Sequence, residues 1–398
     1  MIPQIDKDIG ISVYTTTFPP ISGKIKQNEN DFLVREILSE KAIDSFDNTY
    51  GHGVYLLKKS GIDTNHALGD IEKRYGLVLK SLGLKDANAQ TEQYVYTYKK
   101  LNSLEEYVGK KYSAQRLGFT AKPISKKDML GNYFEIKVSN LHESLQLFTG
   151  SEKILNFFGY QRFGSKRPIT HLVGKSIING DYEEALDYLL NFSSKYDSEK
   201  NNQIRKLISE RKSESEIIKL LPYSMDIERN LLKQLSNDTD PKHALRSIPL
   251  SLRRFYVQAY QSFLFNKTLS LAHEFEEELF LPTTDDVCFD KNSLLGKFEN
   301  IRTQKLAIPL IGHSYYKKSR FDYYIKKILE EESLTPKDFF IKDFQEISVD
   351  GGFRNASINY SNLEIDKSLI KFQLSRGSYA TIVLREILKP HNPLDCGF

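Results

Sequence analysis

Ile370-Lys371-Phe372-Gln373-Leu374 alternates apolar and polar side chains near the end of a 398-residue chain, the period of a half-buried strand. Ile358-Asn359-Tyr360 before it and Ala380-Thr381-Ile382-Val383-Leu384 after it read as strands too. Runs of the same kind open the chain: Phe32-Leu33-Val34-Arg35-Glu36-Ile37, Val54-Tyr55-Leu56-Leu57-Lys58 and Tyr133-Phe134-Glu135-Ile136-Lys137-Val138. Among them Asp63-Thr64 caps one helix, with Ala67, Leu68, Ile71 and Tyr75 on its apolar face. The texture between is different. Residues 182–192, 204–211, 217–221 and 227–235 carry helical spacing, broken by polar segments at 197–202 and 236–242, and longer helices are predicted at 252–275 and 321–331. Strands, then helices, then strands predict an α+β protein in which a helical module interrupts a sheet-based one. The two ends of the chain then share one core.

Composition narrows the function. At 398 residues there is room for two or three domains, and 40% hydrophobic content excludes a disordered chain. Lys and Arg exceed Asp and Glu by 56 to 52, a balance that permits a nucleic-acid partner without demanding one. Cys288 and Cys396 offer neither zinc spacing nor a disulfide framework, as expected of a reducing compartment. No signal-peptide pattern and no apolar run of ~20 residues occurs, so a soluble cytoplasmic protein is expected, with no membrane partner. The eight histidines are scattered, and neither a Walker loop nor a dinucleotide glycine fingerprint is present. Nucleotide-driven and redox chemistry are disfavoured.

Chemistry-bearing residues concentrate in a few segments. Gly83-Leu84-Lys85-Asp86-Ala87-Asn88-Ala89-Gln90-Thr91-Glu92-Gln93 sets a carboxylate beside a lysine on a glycine-punctuated turn that runs into the strand Tyr94-Val95-Tyr96. A lone Lys-Asp pair on a loop is more often a solvated surface pair. Gly159-Tyr160-Gln161-Arg162-Phe163-Gly164 brackets an amide, a guanidinium and two rings between glycines, groups that stack on bases and grip phosphate. Its bland reading is a helix C-cap and a packed turn; Ser165-Lys166-Arg167 adds charge and moves the balance towards RNA. The segment 258–266 reads as a buried helix on which Gln261, Ser262 and Asn266 stand out as polar. Lys317-Lys318-Ser319-Arg320 near Tyr315, Tyr316 and Tyr323 is a solvated face or an RNA-tracking strip.

Taken together, these segments resemble the TruD family of tRNA pseudouridine synthases over nearly the whole chain. The resemblance rests on eight elements in order. They are Lys26 with Asp31-Phe32-x-Val34-x-Glu36; Lys59 with Asp63-Thr64; Gly83-x-Lys85-Asp86-x-x-Ala89-x-Thr91-x-Gln93; and Gly131-Asn132-x-Phe134. Then come Asn156-x-Phe158-Gly159-x-Gln161-Arg162-Phe163-Gly164, Gln261-Ser262-x-Leu264-Phe265-Asn266, Gly352-Phe353-Arg354, and Gly377-Ser378-Tyr379-Ala380-Thr381 running on to Glu386. Ser139 and Ser375 depart from the Arg and Pro usual at those places.

The resemblance implies a catalytic domain with a mixed, largely antiparallel pseudouridine-synthase sheet in two parts, 1–158 and 355–398, interrupted by a largely helical TRUD domain at 159–354. It implies isomerisation of a tRNA uridine, most often uridine 13 and in some relatives uridine 35, without a cofactor or an obligatory protein partner. It makes Asp86 the catalytic carboxylate. Lys26 is then its basic neighbour, Phe134 the ring against the base and Asn132 an active-site amide, with Lys85 and Gln93 completing the base- and sugar-contacting set. Gln161, Arg162, Phe163 and Arg167 become candidates for binding RNA. A free Asp, with a pKa near ~3.9, is already ionised at neutral pH, and a cation such as Lys26 would keep it so after water is excluded. The alternative is a non-catalytic tRNA-binding or folding factor on the same scaffold.

Overall fold

The computed structural model describes residues 1–398 apart from 48–49, 86, 100–104, 149, 151–152, 211–213, 223–224, 237–239 and 316–318, with only the backbone of 214–215. Its frame is a nine-stranded sheet of β1 (Phe32–Leu38), β2 (His52–Lys59), β3 (Leu79–Ser81), β4 (Gln90–Thr97), β5 (Glu106–Gly109), β6 (Tyr112–Thr120), β7 (Met129–Lys137), β8 (Tyr360–Asp366) and β9 (Leu369–Ser375). The order is β8-β9-β7-β1-β4-β2-β6-β5, with β3 also beside β4. Strands from both ends of the chain therefore build one sheet: β9 pairs with β7 from Leu369↔Lys137 to Ser375↔Gly131.

One pairing breaks the antiparallel pattern. β1 and β4 run parallel for three residue pairs, Leu33↔Gln90, Val34↔Thr91 and Arg35↔Glu92. β2 occupies one edge of β4, so β1 and β3 share the other, β1 at residues 90–92 and β3 at 95–97. Between them the Tyr94 amide has no strand to bond. It donates instead to the Glu36 carboxylate at 2.8 Å.

Register decides what sits above this split. Thr91, Gln93 and Val95 point to one face of β4. Val95 packs in a small core with Tyr55, Leu57, Tyr107 and the buried Ala67 and Ile71 of the Thr64–Tyr75 helix, which is N-capped by the Asp63 side chain as expected. On the other half of the sheet Phe134, Ile136, Ile370 and Phe372 share the main core with the helix Ala380–Leu388. The two helix-covered halves leave a gap over β1 and β4.

The helix Ala380–Leu388 corrects the strand reading of 380–384. All nine of its residues are buried, so no polar face marks a helical period, and its β-branched residues imitate a strand. A buried network fixes it. Arg385 bonds Asp6 at 2.6 Å and Glu386 at 2.7 Å, and Tyr160 donates to Asp6 at 2.7 Å. Glu386 in turn accepts the amides of Thr15 and Thr16 at 2.9 and 3.1 Å.

The helical region centres on Leu250–Glu274, against which Thr170–Asn179 packs so closely that a Cβ on Gly174 would lie 2.1 Å from the Tyr256 carbonyl. Expected helices are present at Tyr182–Leu190, Glu199–Ser209, Glu214–Leu220, Asp226–Leu235 and Asp322–Glu331. The region also holds a four-stranded sheet absent from the sequence reading, ordered Leu295–Lys297, Val287–Phe289, Lys305–Leu310, Gly352–Asn355. The Gly159–Gly164 segment is a short 3-10 turn after an extended stretch, not a helix C-cap. Among the described residues no helix is long and apolar enough to cross a membrane.

Candidate active-site cleft

The gap over β1 and β4 encloses a cavity of about 240 Å³. The cleft is open to solvent on one side and has room for a nucleobase. Its floor is Phe32, Val34, Thr91, Asn132 and Phe134, all on one face of the sheet, and its walls are Lys26, Leu84, Lys85, Ala89, Gln161 and 378–381. The structure thus brings together Lys26, Lys85, Asn132, Phe134 and Gln161, five of the residues singled out from sequence. Asp86 lies outside the described residues.

The flanks of position 86 are held firmly. Lys85 donates its amide to the Thr64 hydroxyl at 2.9 Å, and its carbonyl accepts from Lys59 Nζ at 3.2 Å. The Ala87 carbonyl accepts the Gly61 amide at 3.1 Å. Gln93 closes the arrangement, accepting from the Thr64 hydroxyl at 2.8 Å and donating to the Gly83 carbonyl at 3.1 Å. It is fully buried and faces this loop rather than the cavity, so its part is to hold the turn. Asp63-Thr64 and the 83–93 segment, distant in sequence, form one hydrogen-bonded unit.

Lys85 turns its ammonium to Glu36 at 2.8 Å, where the Glu36 side chain is fully buried. This carboxylate, with one oxygen on the Tyr94 amide and one on Lys85, wedges β1 from β4 and sets the height of the loop between β3 and β4. Its signal was present in the sequence: Phe32, Val34, Glu36 and Leu38 have the same strand parity, and only one of them is charged. Lys26 takes a left-handed backbone (φ 54°) and lays its ammonium 4.8 Å over the Phe32 ring. The backbone bridge Lys24↔Ser139 and the Ile25 amide on the Cys396 carbonyl (2.9 Å) hold that turn, so the serine departing from the family pattern serves through its main chain.

Phe134 is stacked on Phe372 at 5.4 Å and meets Phe32 edge-on at 6.2 Å, which leaves it rigid at the cavity floor. Beside it two polar atoms, Thr91 Oγ1 and Asn132 Oδ1, are buried and have no hydrogen-bond partner among the described residues. Orphaned polar groups cost about 1–3 kcal/mol each. Two of them lining one cavity mark the place where a polar ligand edge would be read.

The remaining candidates divide. Gln161 reaches the cavity and accepts from the Thr381 hydroxyl at 3.2 Å. Arg162 lies just behind, donating to Ser262 at 3.1 Å and Gln258 at 3.3 Å. Phe163 is fully buried edge-on to His171 at 5.3 Å, and offers no ring to a base. Arg167 is spent on Glu228 (3.1 Å) and on the carbonyls of Tyr188 and Leu189 at 2.6 and 2.9 Å, closing the end of the Tyr182–Leu190 helix. Of the suggested strip at 315–323, Tyr316, Lys317 and Lys318 lie outside the described residues. Arg320 is paired with Glu277 and Asp286 at 2.7 and 2.9 Å.

Ser262 and Asn266 explain the polar stripe on the long helix. Ser262 orients Arg162, while Asn266 accepts the Phe158 amide at 2.8 Å and donates to the Ile9 carbonyl at 2.9 Å. Gln261 holds the Ile311 carbonyl at 2.6 Å.

Comparison with known proteins agrees with this geometry. The family model described as tRNA pseudouridine synthase D (TruD) matches residues 8–387. A protein of Archaeoglobus fulgidus named probable tRNA pseudouridine synthase D is 31% identical, the match covering 97% of this chain and 99% of that one. A Saccharolobus solfataricus protein of the same name is 33% identical over 97% of both. The crystal structure of a putative tRNA pseudouridine synthase D from Methanosarcina mazei superposes with a TM-score of 0.74 at 27% identity, covering 99% of each chain.

Proposed function

Because the chain belongs to the TruD family of tRNA pseudouridine synthases, which are isomerases, we propose that its cleft takes one tRNA uridine, flipped from its stack, and that Asp86 carries the rearrangement. Uridine 13 is the leading target and uridine 35 the second. The observation that supports this most is the cavity itself. It has room for a base, is floored by the Phe134 ring, carries two polar atoms that are orphaned among the described residues, and is lined by Lys26 and by Lys85, the residue before Asp86 in sequence.

The reaction breaks the bond from C1′ to N1 of uracil and forms one from C1′ to C5. The C5 proton is lost and N1 gains one, so substrate and product are isomers. Asp86 acts as a nucleophile on the sugar or on the uracil, or as the base that removes a sugar proton. Lys26 keeps its carboxylate ionised when the base excludes water. Phe134 stacks on the free uracil, and Asn132 and Thr91 read its polar edge. Unstacking costs a few kcal/mol, which a base–aromatic contact of ~1–3 kcal/mol and contacts to phosphate offset.

Incubation with uridine-containing tRNA transcripts, followed by pseudouridine mapping, tests the reading. The expected result is one modified position with wild type and a loss on the order of 10³-fold for Asp86→Ala. Equal product from both proteins would remove Asp86 from the chemistry. Tight tRNA binding with no product from wild type would establish the binding-factor alternative.

A further inference from the structure

Arg354, on the strand Gly352–Asn355, stacks its guanidinium 3.9 Å over the Phe158 ring, and Arg162 reaches the same ring at 5.7 Å. All their hydrogen-bond acceptors are neutral. Arg354 donates to the Asn156 carbonyl at 3.0 Å and its side-chain oxygen at 2.8 Å, while Arg162 donates to Ser262 and Gln258. Among the described residues neither meets a carboxylate, whereas the buried Arg385 and Arg205 each meet two. Burial, with Arg162 nearby adding repulsion, pushes the Arg354 guanidinium down to about 10. Two half-buried like charges that meet no carboxylate among the described residues call for an anion that arrives from outside.

Its approach is open. Arg354 Nη1 makes no hydrogen bond among the described residues and lies 4.0 Å from where a Cβ on Gly377 would stand, beside the turn that leads into the cavity wall. Tyr379, whose ring centre is 5.8 Å from the Arg354 guanidinium, lines that cavity. It also begins the helix Ala380–Leu388, whose first amides have no side-chain cap. A planar guanidinium and helix-terminal amides without a side-chain cap are donors suited to phosphate oxygens.

We propose that Arg354 and Arg162 together seat one phosphodiester of the RNA beside the flipped nucleotide, fixing where the backbone turns so that the base enters the cavity. The proposal rests on the cleft being a tRNA site. It gives Arg354 a positioning role and leaves the bond changes to the residues of the cavity.

The test places single neutral methylphosphonate linkages, one at a time, around the uridine that wild type modifies, or around uridine 13 where it modifies none, and measures affinity, its salt dependence and pseudouridine formation in the same samples. With wild type, one linkage should weaken binding on the order of tenfold while its neighbours matter little. Arg354→Gln should weaken binding of unmodified tRNA by a similar factor, flatten the salt slope by about one, and abolish sensitivity to that linkage. Arg162→Gln should do the same in part, and decides the matter should Arg354→Gln misfold. Wild type insensitive to every linkage, or variants that keep full sensitivity, would overturn the phosphate seat while product formation left the isomerase reading standing. Linkage coupling without any product would overturn the isomerase reading and retain the seat.

Discussion

Arg385 and Arg354 both draw a guanidinium into the protein, the first completely and the second in part, in two regions that the cavity wall connects. Arg385 lies beneath the Ala380–Leu388 helix with Asp6 and Glu386 on it, Tyr14 under its plane at 4.1 Å, and no exposure. Arg354 meets, among the described residues, only carbonyls, an amide oxygen and the rings of Phe158, Phe265 and Tyr379. The first region is electrically closed, and its charges are spent on holding the chain's first sixteen residues to its last helix. The second is open, and its charge awaits a ligand. Within one fold, a guanidinium with carboxylate partners marks scaffold, and one without them among the described residues marks a candidate site.

Breaking the closed region should have the larger effect on stability. Arg385→Met strands two buried carboxylates and is expected to cost about 3–5 kcal/mol in denaturant unfolding, against about 1 kcal/mol for Arg354→Gln. Equal stabilities would dissolve the contrast.

His171 offers a third treatment of a buried polar group, held between Phe163 and Phe263 with Nδ1 unpartnered among the described residues. Burial holds its imidazole down to about 4, below the ordinary 6.5. Between those values the unfolded chain takes up a proton that the folded chain refuses. Stability should therefore fall as pH drops through that window, by ~3 kcal/mol in all, and this part of the pH dependence should be flat above it. His171→Leu should flatten the curve between pH 6.5 and 4; an unchanged slope would assign the loss elsewhere.

The smallest stability effect should fall in the open region. Thr91→Val replaces an orphaned buried hydroxyl by a methyl of the same shape, so stability should hold or rise by up to ~1 kcal/mol while turnover declines. A variant as active as wild type would take Thr91 out of base recognition.

The frame was legible where one face of an element is wet. The alternation of Phe32–Leu38 and the cap at Asp63 read directly, as did the segments that became Leu250–Glu274 and Asp322–Glu331. Ala380–Leu388, buried all round, carried no period to read. The small sheet of Val287–Phe289, Leu295–Lys297, Lys305–Leu310 and Gly352–Asn355 is built from strands of three to six residues, too short for a pattern. In the site, Lys26, Lys85, Asn132, Phe134 and Gln161 converge as the motifs implied. Phe163 and Arg167 do not, because a ring or guanidinium in a basic aromatic run looks the same whether it points in or out. Arg354 was quoted only as part of a motif, since what distinguishes it is the absence of a carboxylate, a property of space and not of spacing.

The pairing of β7 with β9 also sets a schedule. About 230 residues separate Lys137 from its partner Leu369. At ~5–20 residues per second the ribosome needs roughly 12–46 s to deliver the second strand after the first. During that interval β7 is a bare sheet edge, Phe134 lacks the ring it stacks on, and the cavity has neither its helical wall nor Tyr379. The nascent chain thus carries an unfinished, aggregation-prone edge at the candidate cleft until the strand Leu369–Ser375 has been made.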